Sequence, residues 1–398
     1  SGCTERASNG QISEGEKSSA EAVRLTPANI DASEPDIAAD DGGNLYVVYV
    51  QHQDALNADI KLVRLDRQEK RNGEAIRVNT DAGTAKVWAG DPPRIAIRGQ
   101  SVYVAWTRKF ADPAARGNDL VLSVSRDSGM TFEPPVRVND DIEPASHGMH
   151  SLVVGANGDV IMLWLDERSL AGKTVSMTSD HEMAEPNAEV YYAVSKDGGR
   201  SFGRNRKIAE EVCPCCKTAL LADEDGAIYA SWRQVLQDDH RHIAVARSDN
   251  GGETFNERVI VSDDKWQISA CPVSGAALVA PRAGTLDVLW YTAGGAGQAG
   301  LYFARSTDKG HSFAPRVLLS NEAKPGTPSA AVNGNSEMVF FPVADGRIGS
   351  AGWEDSPVSQ TTRSTIPDAI LPSVVTAGGK AKIVFVRKID SKRSVWMQ

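Results

Sequence analysis

No apolar run in this sequence approaches the roughly eighteen residues that a membrane-crossing helix needs. Positive charge is in deficit: 43 Lys and Arg stand against 52 Asp and Glu, for a net charge of −9. That balance argues against a nucleic-acid partner, which selects a basic face, and favours solubility. Cysteine is scarce, with five in 398 residues, and four of those fall in two short segments. Glycine is plentiful, with 35 residues to serve many turns. A chain of 398 residues would ordinarily divide into two or three domains.

An internal repeat overrides that expectation. Four segments share the pattern Ser-x-Asp-x-Gly-x-Ser/Thr-Phe. They are Ser125-Arg-Asp127-Ser-Gly129-Met-Thr131-Phe132, Ser195-Lys-Asp197-Gly-Gly199-Arg-Ser201-Phe202, Ser248-Asp-Asn250-Gly-Gly252-Glu-Thr254-Phe255 and Ser306-Thr-Asp308-Lys-Gly310-His-Ser312-Phe313. The third has Asn in place of Asp. Spacings of 70, 53 and 58 residues mean that one supersecondary unit is being repeated. The chemistry of the pattern is that of a turn. A short carboxylate or amide accepts hydrogen bonds from nearby backbone N–H groups. Glycine supplies the positive φ, and the Phe anchors the turn on the sheet beneath.

Between these turns runs a second layout, a short strand, a polar turn and a longer apolar strand, repeated seven times. The first copy is Pro35–Ala39 with Leu45–Tyr49, joined by the hairpin signal Asp40-Asp-Gly-Gly-Asn44. Later copies end in Trp106, Trp164, Trp232 and Trp290, expected as wedges between units. A fourth strand recurs at Ile76-Arg-Val, Val136-Arg-Val, Arg206-Lys-Ile, Val259-Ile-Val and Val317-Leu-Leu. The last unit lacks its own copy, while Val23–Thr26 stands unpaired ahead of the first.

The four turn segments resemble the Asp boxes, or bacterial neuraminidase repeats, of the sialidase-like β-propellers. The resemblance implies an all-β fold of four-stranded antiparallel blades, with the boxes as structural turns on the face opposite the active site. Seven blades are expected, with six, as in sialidases, as the alternative. Val23–Thr26 is expected to supply the outer strand of the final blade and so remove the open edge of the ring. The domain reading is a polar tether over 1–22 and a single propeller over 23–398. Ser1-Gly2-Cys3 resembles the end of a bacterial lipobox. It implies a lipid anchor on Cys3, a membrane partner and a periplasmic or cell-surface location.

In a propeller the segments leading into strand one and those leaving strand two share the top face, where ligands gather. The exits carry Arg108, Asp166, Glu167, Arg168, Arg233 and Tyr291. Sialidases hold the substrate carboxylate with three arginines, use a Tyr–Glu pair as nucleophile and an Asp as acid/base. The resemblance offers Arg108, Asp166, Arg168, Arg233 and Tyr291 for these tasks, with Arg94 and Asp112 as further candidates. The family's Phe/Tyr-Arg-Ile-Pro motif is missing; Pro93-Arg94-Ile95-Ala96 lacks its final Pro. The long exit segment from Asp166 to Glu189 is a candidate lid.

The lead-ins to strand one carry sulfur and imidazole: His147, Met149 and His150, then Cys213, Cys215 and Cys216, then Cys271. Three consecutive blades should bring these seven residues to one sector, with Met177, His181 and Met183 above them. Such ligands suit a soft metal, copper first. The Cys213-x-x-Cys216 spacing equally suits thiol chemistry, and structural disulfides, with Cys271 bonded to one of the other three, are the plain alternative. His240 and His242 are expected on an exposed loop. The functional expectation is an extracytoplasmic propeller that binds a small ligand, glycan or metal ion, possibly copper, on its top face. An exo-glycosidase is the alternative, and a scaffold docking an envelope protein the third.

Overall fold

The computed structural model describes residues 22–112, 114–171, 186–267, 272–295, 297–334, 336–353 and 364–398. Among these the regular structure is antiparallel strand, with three single-turn 3₁₀ segments. The strands form six sheets, five of four strands and one of nine. The nine-stranded sheet holds two successive four-stranded units, joined only through the pairing of Val212 with Gln234, and the short strand Trp266–Gln267 at its margin. Within a unit, successive strands pair as a meander. In the first unit these are Asp31–Ala39, Leu45–His52, Ala58–Leu65 and Ile76–Arg77.

The second strand of each unit is the most apolar because both its faces are covered. Val102–Trp106, Val160–Leu165 and Leu286–Tyr291 are buried without a break. An uninterrupted apolar run is what a strand sandwiched between layers requires. Trp106, Trp164, Trp232 and Trp290 are fully buried, and each sits in an apolar cluster drawn from two consecutive units.

The repeated turns join strands three and four. In the second copy, Asp197 Oδ1 accepts from the Ser195 hydroxyl (2.8 Å) and from the backbone N–H groups of Arg200 and Ser201 (both 2.9 Å), and Ser201 Oγ donates to Oδ2 at 2.6 Å. The Ser201 hydroxyl, ahead of the backbone donors, holds the Asp197 pKa down to about 2. Gly199 takes φ +86°, and a Cβ there would stand 2.8 Å from Leu122 of the preceding unit. Phe202 packs on that same neighbour. Each turn is thus a clasp between two sheets as well as a loop within one.

Val23–Arg24 pairs with Trp396 and Met397, so the N-terminal strand is the fourth strand of the last sheet, as the sequence implied. The sixth unit has a fourth strand that the sequence did not signal, Thr365–Ile366, on Ile348 and Gly349. First strands of successive units lie against one another, and that of the last unit lies against Asp31–Ala39 of the first.

Candidate functional site

Segments leading into the first strands converge on a cavity of ≈ 360 Å³. They share a construction. Three first strands carry a bulge, between Ser33 and Asp36, Gly148 and Ser151, and Ile370 and Ser373. Glu34 (φ +50°), Met149 (+52°) and Leu371 (+54°) sit inside these bulges, and Val273 (+46°) takes the same conformation ahead of the fifth unit. None is glycine, so the surroundings hold the backbone against its own preference. Bulges of this kind re-aim side chains. Pro35, Pro92, Pro272, Pro328 and Pro372 stiffen the wall.

Hydrogen bonds tie each lead-in to the next. Asp36 accepts from the Ile95 N–H (3.1 Å), Arg94 Nε donates to the His150 carbonyl (3.3 Å), and the Ser151 and Thr218 hydroxyls pair at 3.0 Å. Arg233 Nε donates to the Ser274 carbonyl (3.1 Å), the Gly275 N–H to Thr327 Oγ1 (3.0 Å), and the Val374 N–H to Ser329 Oγ (3.0 Å). Ser373 Oγ donates to Asp36 at 2.6 Å and brings the series back to the first unit.

The acids around this cavity have partners. Glu34 lies 2.6 Å from His52 Nε2 and 3.3 Å from Arg393 Nη1. Asp91 holds His150 Nδ1 at 2.9 Å. Two bases differ. Arg94 has Asp36 only at 3.8 Å. Lys217 has no hydrogen bond or ion pair among the described residues, and it is partly exposed toward the cavity. Burial, then the positive charge of Arg94, lowers its pKa to about 7, against the pull of Asp91, Asp36 and Glu34. Trp88, 49% exposed, lines the cavity and folds over Gly90, where a Cβ would stand 2.1 Å from the indole.

The five rim residues expected to act on a substrate do not line this cavity. Arg108 ends its strand paired with Asp119 at 3.1 Å. Asp166 is buried and accepts from Trp164 Nε1 (2.8 Å) and from Arg168 Nε and Nη2 (2.9 and 2.8 Å). Arg168 also reaches Asp140 and lies over the Tyr191 ring. Arg233 is fully buried beneath Trp266 and donates to the Tyr291 carbonyl at 3.0 Å, while Tyr291 packs edge-on to Trp266. The structure therefore brings Asp166 to Arg168, and Arg233 to Tyr291, as internal ties. Asp112 borders a separate shallow depression. Most of the segment from Asp166 to Glu189, with Met177, His181 and Met183, lies outside the described residues, as do Cys3 and Cys271.

The expected metal ligands separate into two groups. His147 Nδ1 lies 2.7 Å from the Asn118 carbonyl, and Nε2 faces Asp141 at 3.2 Å and Asp166 at 3.5 Å. Burial opposes protonation of that ring, but these carboxylates outweigh it and raise the pKa. His150 is held between Asp91 and the Ala105 carbonyl. His242 is buried in a strand with Nδ1 3.0 Å from the Ser262 carbonyl, not on an exposed loop. The sulfurs form the other group. Cys213, Cys215 and Cys216 lie within 4.8 Å of one another, in one apolar cluster with Met149. Cys215 is disulfide-bonded, whereas Cys213 and Cys216 are free and buried, 2.8 Å apart at Sγ. The Cys216 hydrogen bond, more than the nearby Arg233 and Arg241, lowers the Cys213 pKa to about 6. Burial pushes the Cys216 thiol well up.

No family model matches the sequence, and no curated protein matches it. Solved structures do. A protein of unknown function from Dyadobacter fermentans DSM 18053 is 14% identical, with a TM-score of 0.53 over 95% of this chain and 97% of that one. The Hadza microbial sialidase Hz136 gives 12% and 0.52 over 88% and 75%. The NanB sialidase of Streptococcus pneumoniae gives 10% and 0.51 over 89% and 82%. The fold is sialidase-like.

Within this sialidase-like fold the sequence reading missed Glu34, Trp88 and Lys217. A signal was present. A proline stands beside the first strand in Glu34-Pro35-Asp36, Pro92-Pro93-Arg94, Thr327-Pro328-Ser329 and Leu371-Pro372-Ser373, and the residue after it is polar each time. That repeat marks the cavity wall more directly than the strand-two exits do.

Proposed function

We propose that this chain is an extracytoplasmic, lipid-anchored member of the sialidase-like propellers, with seven blades, that binds a small carboxylated ligand of the acidic-sugar class in the central cavity. The observation that carries the reading is Lys217, a cationic group without a partner among the described residues, beside a loosely held Arg94 in a cavity whose acids are already satisfied. A carboxylate would complete both bases, and the exposed Trp88 offers an aromatic face to a sugar ring. Seven blades are supported by the run of first-strand contacts and cross-links that returns to the first unit, and by the sheet shared between the two ends of the chain. The clasp turns support the Asp-box reading, and Ser1-Gly2-Cys3 supports the anchor.

Binding is favoured over sialidase-type hydrolysis because no tyrosine is among the described lining residues. Calorimetric titration with N-acetylneuraminic acid and with its methyl ester tests the reading. The acid should bind, the ester at least about tenfold more weakly, and Arg94→Ala should cost a similar factor, since a charged hydrogen bond contributes about 1.5–3 kcal/mol. Equal affinity for acid and ester, or no binding of either at millimolar concentration, refutes it. Robust turnover of a fluorogenic sialoside promotes the glycosidase alternative.

A second reading places copper at the sulfurs, because Cys213 and Cys216 are free thiols and Met149 shares their cluster. Metal–sulfur bonds of about 2.3 Å would hold two sulfurs roughly 4 Å apart, so this pair would have to open from 2.8 Å.

A further inference from the structure

We infer that Lys217 is a nucleophilic amine that captures 2-oxo acids as a Schiff base, with Arg94 holding their carboxylate. Among the described residues lining the cavity, Lys217 is the one amine. The hydroxyls of the same wall are already hydrogen-bonded. Thr327 Oγ1 accepts from the Gly275 N–H and Ser329 Oγ from the Val374 N–H, both at 3.0 Å, and Ser373 Oγ donates to Asp36 at 2.6 Å. Lys217 makes no hydrogen bond or ion pair among the described residues, which leaves its nitrogen free to react. Its stem is fixed from behind. A Cβ at Gly275 would stand 2.4 Å from the Lys217 carbonyl and 3.0 Å from the Lys217 Cβ, so glycine lets the neighbouring segment close on the lysine.

Arg94 offers the other half of the site. Its Nε donates to the His150 carbonyl at 3.3 Å, while its Nη1 stands 3.8 Å from Asp36, beyond hydrogen-bond reach. The Nη fork is thus open to a carboxylate. Burial first, and the Arg94 charge second, bring the Lys217 pKa to about 7. Roughly half of the amine is therefore unprotonated at neutral pH, where an ordinary lysine is almost wholly charged. A lysine desolvated next to another cation is activated toward carbonyl carbon in this way. With the carboxylate on Arg94, a carbonyl on the adjoining carbon is offered to Lys217. The neutral amine adds to that carbon: a C–N bond forms, the C–O double bond becomes single, and one N–H proton passes to the oxygen. The hydroxyl then leaves as water with the second N–H proton, and a C=N bond remains. No oxidant or reductant is consumed. An acidic sugar in its open-chain form, with its carbonyl beside its carboxylate, belongs to this class. The carboxylate half rests on the acidic-ligand reading of the cavity; the reactive amine does not.

The test treats the intact protein at neutral pH with pyruvate and cyanoborohydride, which reduces an imine to a stable amine. Intact mass and peptide mapping should find one saturable adduct per chain, on Lys217. Acetone, a ketone without a carboxylate, should label Lys217 at least about tenfold less, and Arg94→Ala should erase that preference. The methyl α-glycoside of N-acetylneuraminic acid, whose closed ring has no carbonyl, should slow the trapping without being trapped itself. Lys217→Arg, with a melting temperature near that of the parent, should lose the adduct. Adducts scattered over surface lysines with no excess at Lys217, or acetone labelling Lys217 as well as pyruvate does, overturn the proposal. Calorimetric preference for acid over ester with no adduct at Lys217 removes the covalent step and leaves the carboxylate reading. Pyruvate trapped in preference to acetone, with neither sugar acid nor ester bound, upholds the capture and removes the acidic-sugar reading.

Discussion

Replacing Lys217 with methionine should change how the stability of this protein depends on pH. The lysine falls from its ordinary 10.5 to about 7 in the folded chain. Between those values the unfolded chain holds a proton that the folded chain has shed, so stability rises with pH across the window and is flat below it. At 1.36 kcal/mol per unit the full shift corresponds to a ceiling of about 5 kcal/mol. The amine opens onto the cavity, where water screens it, so a rise of roughly 1–3 kcal/mol is expected. Methionine keeps most of the side-chain volume and removes the proton. Urea unfolding of both proteins at pH 6.5, 8 and 9.5 measures the effect as the difference between the two curves, in which other titrating groups cancel. A carboxylate ligand should flatten the slope, because it binds the ammonium and keeps the folded chain protonated across the same window. Parallel stability curves for parent and Lys217→Met would refute the reasoning, since they would show that this amine titrates alike in both states.

Gly199 and Gly310 share almost the same backbone, φ +86° and +83°, but a Cβ meets Leu122 at 2.8 Å in the first and Tyr229 at 3.3 Å in the second. Gly310→Ala should therefore cost about 1–2 kcal/mol of backbone strain, and Gly199→Ala about 2–4 with overpacking added, as read from denaturant midpoints; equal costs would deny the clasp between sheets. For the copper reading, reduced protein titrated with Cu(I) against a competing chelator should bind one ion per chain, and Cys216→Ser should lose it; absence of uptake by the parent retires copper.

Much of the architecture was legible because it repeats. The Ser-x-Asp-x-Gly-x-Ser/Thr-Phe turn and the runs ending in Trp106, Trp164 and Trp290 are local signals whose physics does not depend on distant partners. The pairing of Val23 with Met397 could also be inferred, since the last unit lacked a strand and the first segment had one spare. The site was less legible. Arg233 and Asp166 read as rim charges, yet partners far away or hidden in the fold, Trp266 and the Ser274 carbonyl for one, His147 for the other, turn them inward. Lys217 drew no notice because its importance lies in what surrounds it, and a lysine after CPCC carries no pattern of its own. The two histidines beside Met149 looked like ligands by composition, but their rings already have carbonyl and carboxylate partners.

The pairing of the two ends of the chain also sets an order of events during synthesis. The Val395 N–H donates to Thr26 Oγ1 across 369 residues of sequence. At roughly 5–20 residues per second, a ribosome needs on the order of 20–75 s to make the partner that the first strand awaits. Throughout that interval the nascent chain presents an unpaired strand at its start and Asp31–Ala39 without its neighbour from the last unit. Until Trp396 is made those edges stay open, and an unpaired strand edge is a template for pairing with another chain.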